Sequence, residues 1–597
     1  MRWFPGKTSR TQTRRASSAG ERLLRLLVFL AILGGAFSFI FQPAPLAAQD
    51  AWDEKVLKVG VLEEPRTLNL WLASDSWSSK VLELIYDRLY EREPQGLKLI
   101  PWLAESAPVC DKTQCVYTVR LRQAKWSDGT PFTAHDVVFT GNFIKKFKIP
   151  RYYSRWNFVK SIKAVDDRTV KFVLSRPKAT FLTRTLTTPI AQKKQWEPIV
   201  ETAQKTKRPL QSLLRHKMEH PVGTGPFALK TWHRGTFVYM VRNEHFFGRG
   251  RQVAGRKLGP YVHGIIFKTY GTSDAAILAL RKGTIDFFWY GIQPGYLDSV
   301  RQDKDIKLFY NQKSALYFLG FNLRRVPFND LNFRRAVASL IDDNFIIRRI
   351  LQDSGTAMKS VVPPGNTIFH CADVAQYGAG LSRNNRIKAA YRILHDAGYR
   401  WTVPPVTAQG EVVQGKGLIL PDGKPVKPFT ILTPPADYDP HRAMSGMMIQ
   451  EWLRMMGIPA VSRPMSFGAM IQKIKARHDF DCFVLGYARL SLDPGWLRSF
   501  FHSSQDRPRG WNMTGYKNPA YDALSDTAED TLDQGKRREL VFDLQRMIAH
   551  DLPFVPLYNP LLVEGVRIDR FKGWVSMLEG VGNVWSFCEI KPANHAD

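Results

Sequence analysis

The chain predicts a mixed α/β protein built from more than one lobe, and three observations carry this. Its 597 residues exceed what one ordinary domain holds and suffice for a large buried core, so two or three lobes are expected. Short alternating strands are interleaved with helical periodicity along its length. Gly- and Pro-based turns separate these segments, and no repeat or low-complexity tract interrupts the body.

The N-terminus carries Arg2, Lys7, Arg10, Arg14, Arg15, Arg22 and Arg25 against Glu21, then an apolar run from Leu26 to Phe41 and a small-residue stretch ending at Ala48. Basic, apolar and small-residue regions in that order predict a secretory signal over residues 1–48, with an uncleaved membrane anchor as the alternative. Ala-Ser-Ser after Arg14-Arg15 argues against twin-arginine export, and no cysteine at the cleavage point argues against a lipoprotein. The body is expected to be exported, or tethered to the membrane if the segment is uncleaved.

Val56–Leu62 alternates as a strand and leads into Glu63-Glu-Pro-Arg-Thr-Leu-Asn69. Leu82, Ile85, Tyr86 and Leu89 share one face of a helix expected over Val81–Tyr90. Tyr117, Val119 and Leu121 point one way and Thr118, Arg120 and Arg122 the other, giving a strand. Asp128-Gly-Thr-Pro131 supplies turn chemistry, and Thr133 starts a helix reaching about Lys146. Strands near Ile162–Val165 and Thr169–Leu174 enclose Asp166-Asp167, which reads as a hairpin turn rather than a catalytic acid pair. A Lys-rich helical stretch follows. After Gly223-Thr-Gly-Pro-Phe227 come strands at Phe237–Arg242 and His263–Thr269, then a helix running into Gly283-Thr-Ile-Asp286.

The formal charge is +31; loss of residues 1–48 removes seven basic and one acidic residue and leaves about +25. Such a basic body suits anionic lipid, wall polymer or an anionic ligand. Nucleic acid is not expected as a partner, because Lys and Arg are dispersed and no zinc-finger or RNP-type motif is present. Cys110 and Cys115 bracket Asp-Lys-Thr-Gln and are expected to form a disulfide in an oxidising compartment; a metal site is the rival, but the spacing fits no zinc template. Cys371, Cys482 and Cys588 cannot all pair within the chain. No H-E-x-x-H, G-x-S-x-G or Cys/His arrangement occurs, so no catalytic residue, metal or cofactor is expected. Gly410-Glu-Val-Val-Gln-Gly-Lys-Gly417 fits seven places of a phosphate-binding loop but ends on Gly instead of Ser or Thr, and reads as a surface loop.

Several segments recur together in one family. They are Val59–Leu70, Tyr117–Thr140, Gly223–Phe227, Leu280–Asp286, Gly320-Phe-Asn322 with Pro327-Phe-Asn-Asp330 and Phe333–Asp342, Asn384–Tyr399, Phe480–Tyr487 and Asn512–Asp522. In this order the chain resembles the family 5 solute-binding proteins that serve peptide and nickel ABC importers. The resemblance implies a two-lobed periplasmic-binding-protein fold of the cluster C type with an extra small domain. Lobe I would comprise 51–92, 221–321 and 556–597, the insert 93–220, and lobe II 322–555. The chain would cross at Gly320-Phe-Asn322 and Pro553-Phe-Val-Pro556, where a hinge closes the lobes on ligand.

The same resemblance implies a non-catalytic, monomeric receptor. It would capture a peptide or peptide-like solute between the lobes and dock on an inner-membrane permease whose ATPase drives import. Aligning Gly486-Tyr487 on the family's G-W pair puts Ala488-Arg489 in the spacer and Leu490 where peptide-binding members carry an amine-binding Asp. Without that acid, a buried ammonium would forgo a charge-assisted hydrogen bond of about 1.5–3 kcal/mol. Asp493 is a candidate replacement, or a turn residue. Arg489 would favour a carboxylate or phosphate, which tilts the solute toward anionic character, or would reach into solvent. Tyr487 is expected against the ligand. Trp71, Trp77, Tyr290 and Trp511 are further aromatic candidates, each open to a structural reading, and Asn322 would bind ligand or, preferably, fasten the hinge. The rival class is a cell-envelope hydrolase or a wall- or membrane-binding protein.

Overall fold

A 12-stranded sheet forms the spine of the molecule in the computed structural model, which describes residues 54–111 and 115–594. The expected signal segment lies outside those residues. The strands run in the order Ala460–Pro464, Phe429–Thr433, Cys482–Tyr487, Leu316–Phe321, Phe554–Arg567, Phe287–Phe288, Val56–Val61, Gly264–Thr269, Phe237–Arg242 and Phe227–His233. Ile306–Gln312 and Gly355–Ala357 also pair with the long strand Phe554–Arg567. Val56–Val61 lies parallel to Gly264–Thr269, and Phe429–Thr433 lies parallel to Ala460–Pro464 across the helix Pro440–Met455. Parallel neighbours joined through a helix make each half of the sheet an α/β layer.

The two halves meet on one strand. Ile306–Gln312 pairs with the stretch Leu561 to Arg567, whereas Leu316–Phe321 pairs with Phe554 to Tyr558. Partners therefore change at Lys313–Ala315 and Asn559–Pro560. The Asn559 side-chain amide donates to the carbonyls of Lys313 (2.7 Å) and Ala315 (3.0 Å), tying the two crossings together. The segments 320–322 and 553–556, where the crossings are expected, fall within or at the ends of paired strands. The family resemblance set the expectation there, and nothing in the single extended run Phe554–Arg567 marks the change of partner in sequence.

Residues 93–220 carry a four-stranded antiparallel sheet in the order Val109–Asp111, Val116–Arg120, Thr169–Leu174, Val159–Asp166. This segment shares a continuous apolar core with the N-terminal half: Trp102 meets Trp585 edge-on at 5.3 Å, and the Trp585 indole donates to the Arg92 carbonyl at 2.8 Å. Residues from Leu316 to Tyr558 build two further core clusters.

The recurring motifs have structural tasks. Thr133 caps the helix Ala134–Phe147, and the Asp136 carboxylate returns to accept from the Thr133 N–H at 2.9 Å. At Gly223 a side chain would begin 1.8 Å from the Ile85 carbonyl, so only glycine lets the two backbones approach. Asp286 accepts from the Lys58 N–H and from Arg570, each at 2.7 Å; burial pushes its carboxyl up to about 6 against those partners. The first helix spans Ser76–Ile85, earlier than expected, because the Asp75 carboxylate caps it by accepting from Ser78 N–H at 2.8 Å.

Cys110 and Cys115 are free thiols in the structure, not the expected disulfide. The hairpin register sets Cys110 opposite Tyr117, two places beyond Cys115. Cys115 itself precedes the strand Val116–Arg120, in a left-handed backbone conformation (φ 52°), outside the paired ladder that holds Cys110.

Candidate functional site

A cavity of about 820 Å³ opens where the two halves of the sheet and the 93–220 segment face one another. Its wall draws on Trp77 and Lys80 from the first helix, Tyr290 after Phe287–Phe288, Thr183 and Arg184 from the inserted segment, and residues 488–492 after Cys482–Tyr487. Lys313 and Ser314, at the crossing itself, also line it.

Trp77 and Tyr290 stack at 6.5 Å with 24° between planes; Trp77 is 8% exposed and Tyr290 50% exposed, so the pair shows one half to the cavity. Lys80 places its ammonium 4.5 Å from the Trp77 ring centre and 4.3 Å from that of Trp289, and donates to the Trp289 carbonyl at 3.3 Å. Burial lowers the Lys80 amine, Glu564 works to raise it, and Arg489 adds to the lowering. Glu564, wholly buried beneath, is pushed up by its own desolvation against the Val581 N–H that it accepts at 2.6 Å. A stacked aromatic face beside a cation suits a flat or peptide-like group with a polar edge.

The sequence candidates divide. Trp77, Tyr290 and Arg489 line the cavity, and Arg489 is exposed. Trp71 does not: it is a core residue packed on Phe143 (4.6 Å), Trp196 (5.6 Å) and Tyr152 (6.0 Å), joining the N-terminal segment to the insert. Tyr487 stands outside the lining, stacked between Phe500 (4.6 Å) and Phe318 (5.8 Å). Trp511 also lies outside it, beneath the Lys475 ammonium at 3.2 Å.

Asn322 is buried and donates to the carbonyls of Phe480 (2.8 Å) and His478 (3.2 Å), fastening the end of its strand rather than the crossing. Asp493 is committed to Arg537 at 2.9 Å on each oxygen. Leu490, at the position of the family's acid, is buried in an apolar cluster.

The sequence reading missed Lys80, Arg88, Arg155, Arg184, Lys313 and Glu579, all on the cavity wall. Arg151 and Arg155 did carry a signal: they stand four residues apart in Arg-Tyr-Tyr-Ser-Arg, at and just before the short helix Tyr153–Trp156, and both approach the Tyr152 ring. Among the described residues no cluster of His, Cys, Asp and Glu is arranged to hold a metal, and no helix is long and apolar enough to cross a membrane.

A cavity framed by two sheet halves and walled by aromatic and charged side chains is suited to enclosing a small solute. The profile of the bacterial extracellular solute-binding proteins, family 5 Middle, matches residues 98–508, and the chain belongs to that family. It is a substrate-binding receptor, and the family comprises binding proteins, not enzymes. The oligopeptide-binding protein AppA of Bacillus subtilis is 25% identical over 84% of this chain and 86% of its own. The peptide transport periplasmic protein SapA of Salmonella typhimurium is 25% identical over 96% and 98%. The fold matches the periplasmic oligopeptide-binding protein of an oligopeptide ABC transporter from Thermotoga maritima with a TM-score of 0.71 at 22% identity, covering 90% of this chain and 99% of that one. NikZ from Campylobacter jejuni, solved with Ni(L-His), gives 0.66 at 23% identity, covering 90% and 100%.

Proposed function

We propose that the protein is the periplasmic, monomeric receptor of an ABC importer, taking a peptide or peptide-like solute of anionic character into the cavity and presenting it to an inner-membrane permease and its ATPase. The observation that carries this is that one 820 Å³ space is lined both by the Trp77–Tyr290 stack, from the N-terminal half, and by Arg489, from the loop after Cys482–Tyr487. Relatives named for oligopeptide and peptide transport support the solute class. Closure brings the opposing groups onto one ligand, so affinity depends on the closed state. The lobe division follows the change of strand partners at 313–315 and 559–560, with residues 93–220 moving with the N-terminal half whose core they share.

Leu490 in place of an acid removes the usual partner of a free peptide amine, and the Asp493 carboxylate is already saturated. Recognition therefore does not depend on that amine. Mass spectrometry of solute released from the purified protein, followed by calorimetry with free and N-acetylated forms of one peptide, tests the reading. Equal affinity for the two forms is expected; a strong preference for the free amine would overturn the amine-independent mode, and failure of every peptide would overturn the solute class.

A further inference from the structure

Beside the main cavity lies a side pocket of about 400 Å³ that shares Glu83, Arg88, Arg155 and Arg489 with it. Arg88, Arg151, Arg155 and Arg489 line this pocket against a single carboxylate, Glu83. Arg184 stands on the adjoining wall of the main cavity. Four guanidiniums around so small a space repel one another unless something negative joins them.

Two of the four have structural partners. Arg88 lies 3.4 Å from Glu91, and Arg151 donates to the Ala73 carbonyl and, at 3.2 Å, to the Ser79 hydroxyl. Arg155 and Arg489 have no ion-pair partner among the described residues. Arg155 is half-buried and spread over the Tyr152 ring at 5.4 Å, which fixes its plane. Its burial depresses the guanidinium; the Tyr152 phenol opposes that, and Arg184, Arg151 and Arg88 reinforce it. A cation so placed is poorly compensated within the fold. Arg489 comes from the other side, on the loop following Cys482–Tyr487, so an anion between them would touch both halves of the protein.

We infer that this pocket is an oxyanion subsite: a carboxylate or phosphate group of the solute sits between Arg155 and Arg489, while the rest of the solute occupies the aromatic-walled cavity. The proposal rests on the receptor reading and adds where the charge goes. A guanidinium fork matches either group through two parallel N–H donors, and the pocket volume admits an acidic side chain or a phosphorylated one. Because the two arginines belong to different halves, the anion acts as a clasp that favours the closed form.

The test uses the full exported protein, freed of bound solute, in calorimetry with N-acetylated, C-amidated tripeptides that differ only in a central Glu, phosphoserine or Gln. The Glu or the phosphoserine peptide is expected to bind at least about tenfold more tightly than the Gln peptide, and the one that gains more identifies the group. That preference is expected to shrink with salt and to fall to near unity in Arg155→Gln and in Arg489→Gln. Arg489 is exposed, so its variant remains informative should Arg155→Gln fail to fold. Equal binding of all three peptides, or a preference that survives both substitutions, would overturn the subsite while leaving the receptor standing. If none of the three binds, both readings fall.

Discussion

Arg537 holds both oxygens of Asp493, each nitrogen 2.9 Å away, and both side chains are only 1% exposed. The Thr183 hydroxyl adds a third bond at 2.7 Å and the Gly495 N–H a fourth at 3.1 Å. Burial would raise this carboxyl, but Arg537 keeps it below its ordinary value. Asp493 thus joins the C-terminal half to the inserted segment. Asp493→Ala would strand a buried guanidinium and should cost about 3–5 kcal/mol, read from urea unfolding. An unchanged midpoint would mean that the pair is dispensable.

Trp77 and Tyr290 present the aromatic face of the cavity, whereas Trp511 lies outside its wall. Trp77→Ala should weaken solute binding by about 0.5–1.5 kcal/mol beyond the loss of contact area. Trp511→Ala should leave affinity as it is. Titration with the co-purified solute compares them, and the reverse ranking would place the ligand elsewhere.

Asp87 is buried, accepts from the Trp102 indole at 2.8 Å, and is raised by desolvation from 3.8 to about 7. The folded state therefore keeps a proton that the unfolded chain has released. This group's contribution to stability is full below about pH 4 and is lost as the pH climbs through about 7. Thermal melts of Asp87→Asn should show a flatter profile over that window than the parent. A profile of unchanged slope would assign the pH dependence to other groups.

Lys178 pairs with Glu529, and Arg176 lies 3.5 Å from Asp530, both spanning the inserted segment and the C-terminal half. Removing both acids, as Glu529→Gln with Asp530→Asn, should loosen the contact between the inserted segment and the C-terminal half. The exposed pair is worth at most about 1 kcal/mol and the Lys178 pair more, since that lysine is buried. Small-angle scattering without solute should then record a larger radius of gyration, and an identical curve would show that these contacts do not hold the halves together.

Local structure was legible where a residue type has one physical use. The Asp128–Thr133 turn and cap, and the hairpin at Asp166-Asp167, lie where alternation and turn chemistry put them. Trp77, Tyr290 and Arg489 could be singled out because aromatic and charged residues follow the ends of strands. Tyr487 and Asp493 misled for the same reason: their neighbours in space, Phe500 and Arg537, are distant enough in sequence that no periodicity links them. Arg88, Arg155 and Arg489 converge only once the first half, the inserted segment and the loop after Cys482–Tyr487 come together, so no linear pattern could assemble them.

Phe554–Arg567 serves both halves of the sheet as one uninterrupted ribbon, pinned at its middle by Asn559. Relative movement must therefore pass through torsion of that ribbon, since sliding would break ladder bonds on one side or the other. Such a constraint leaves the mouth a single arc to travel. A spin-label pair straddling Asn559 would register that torsion at the crossing itself, where Lys313 and Ser314 also line the cavity.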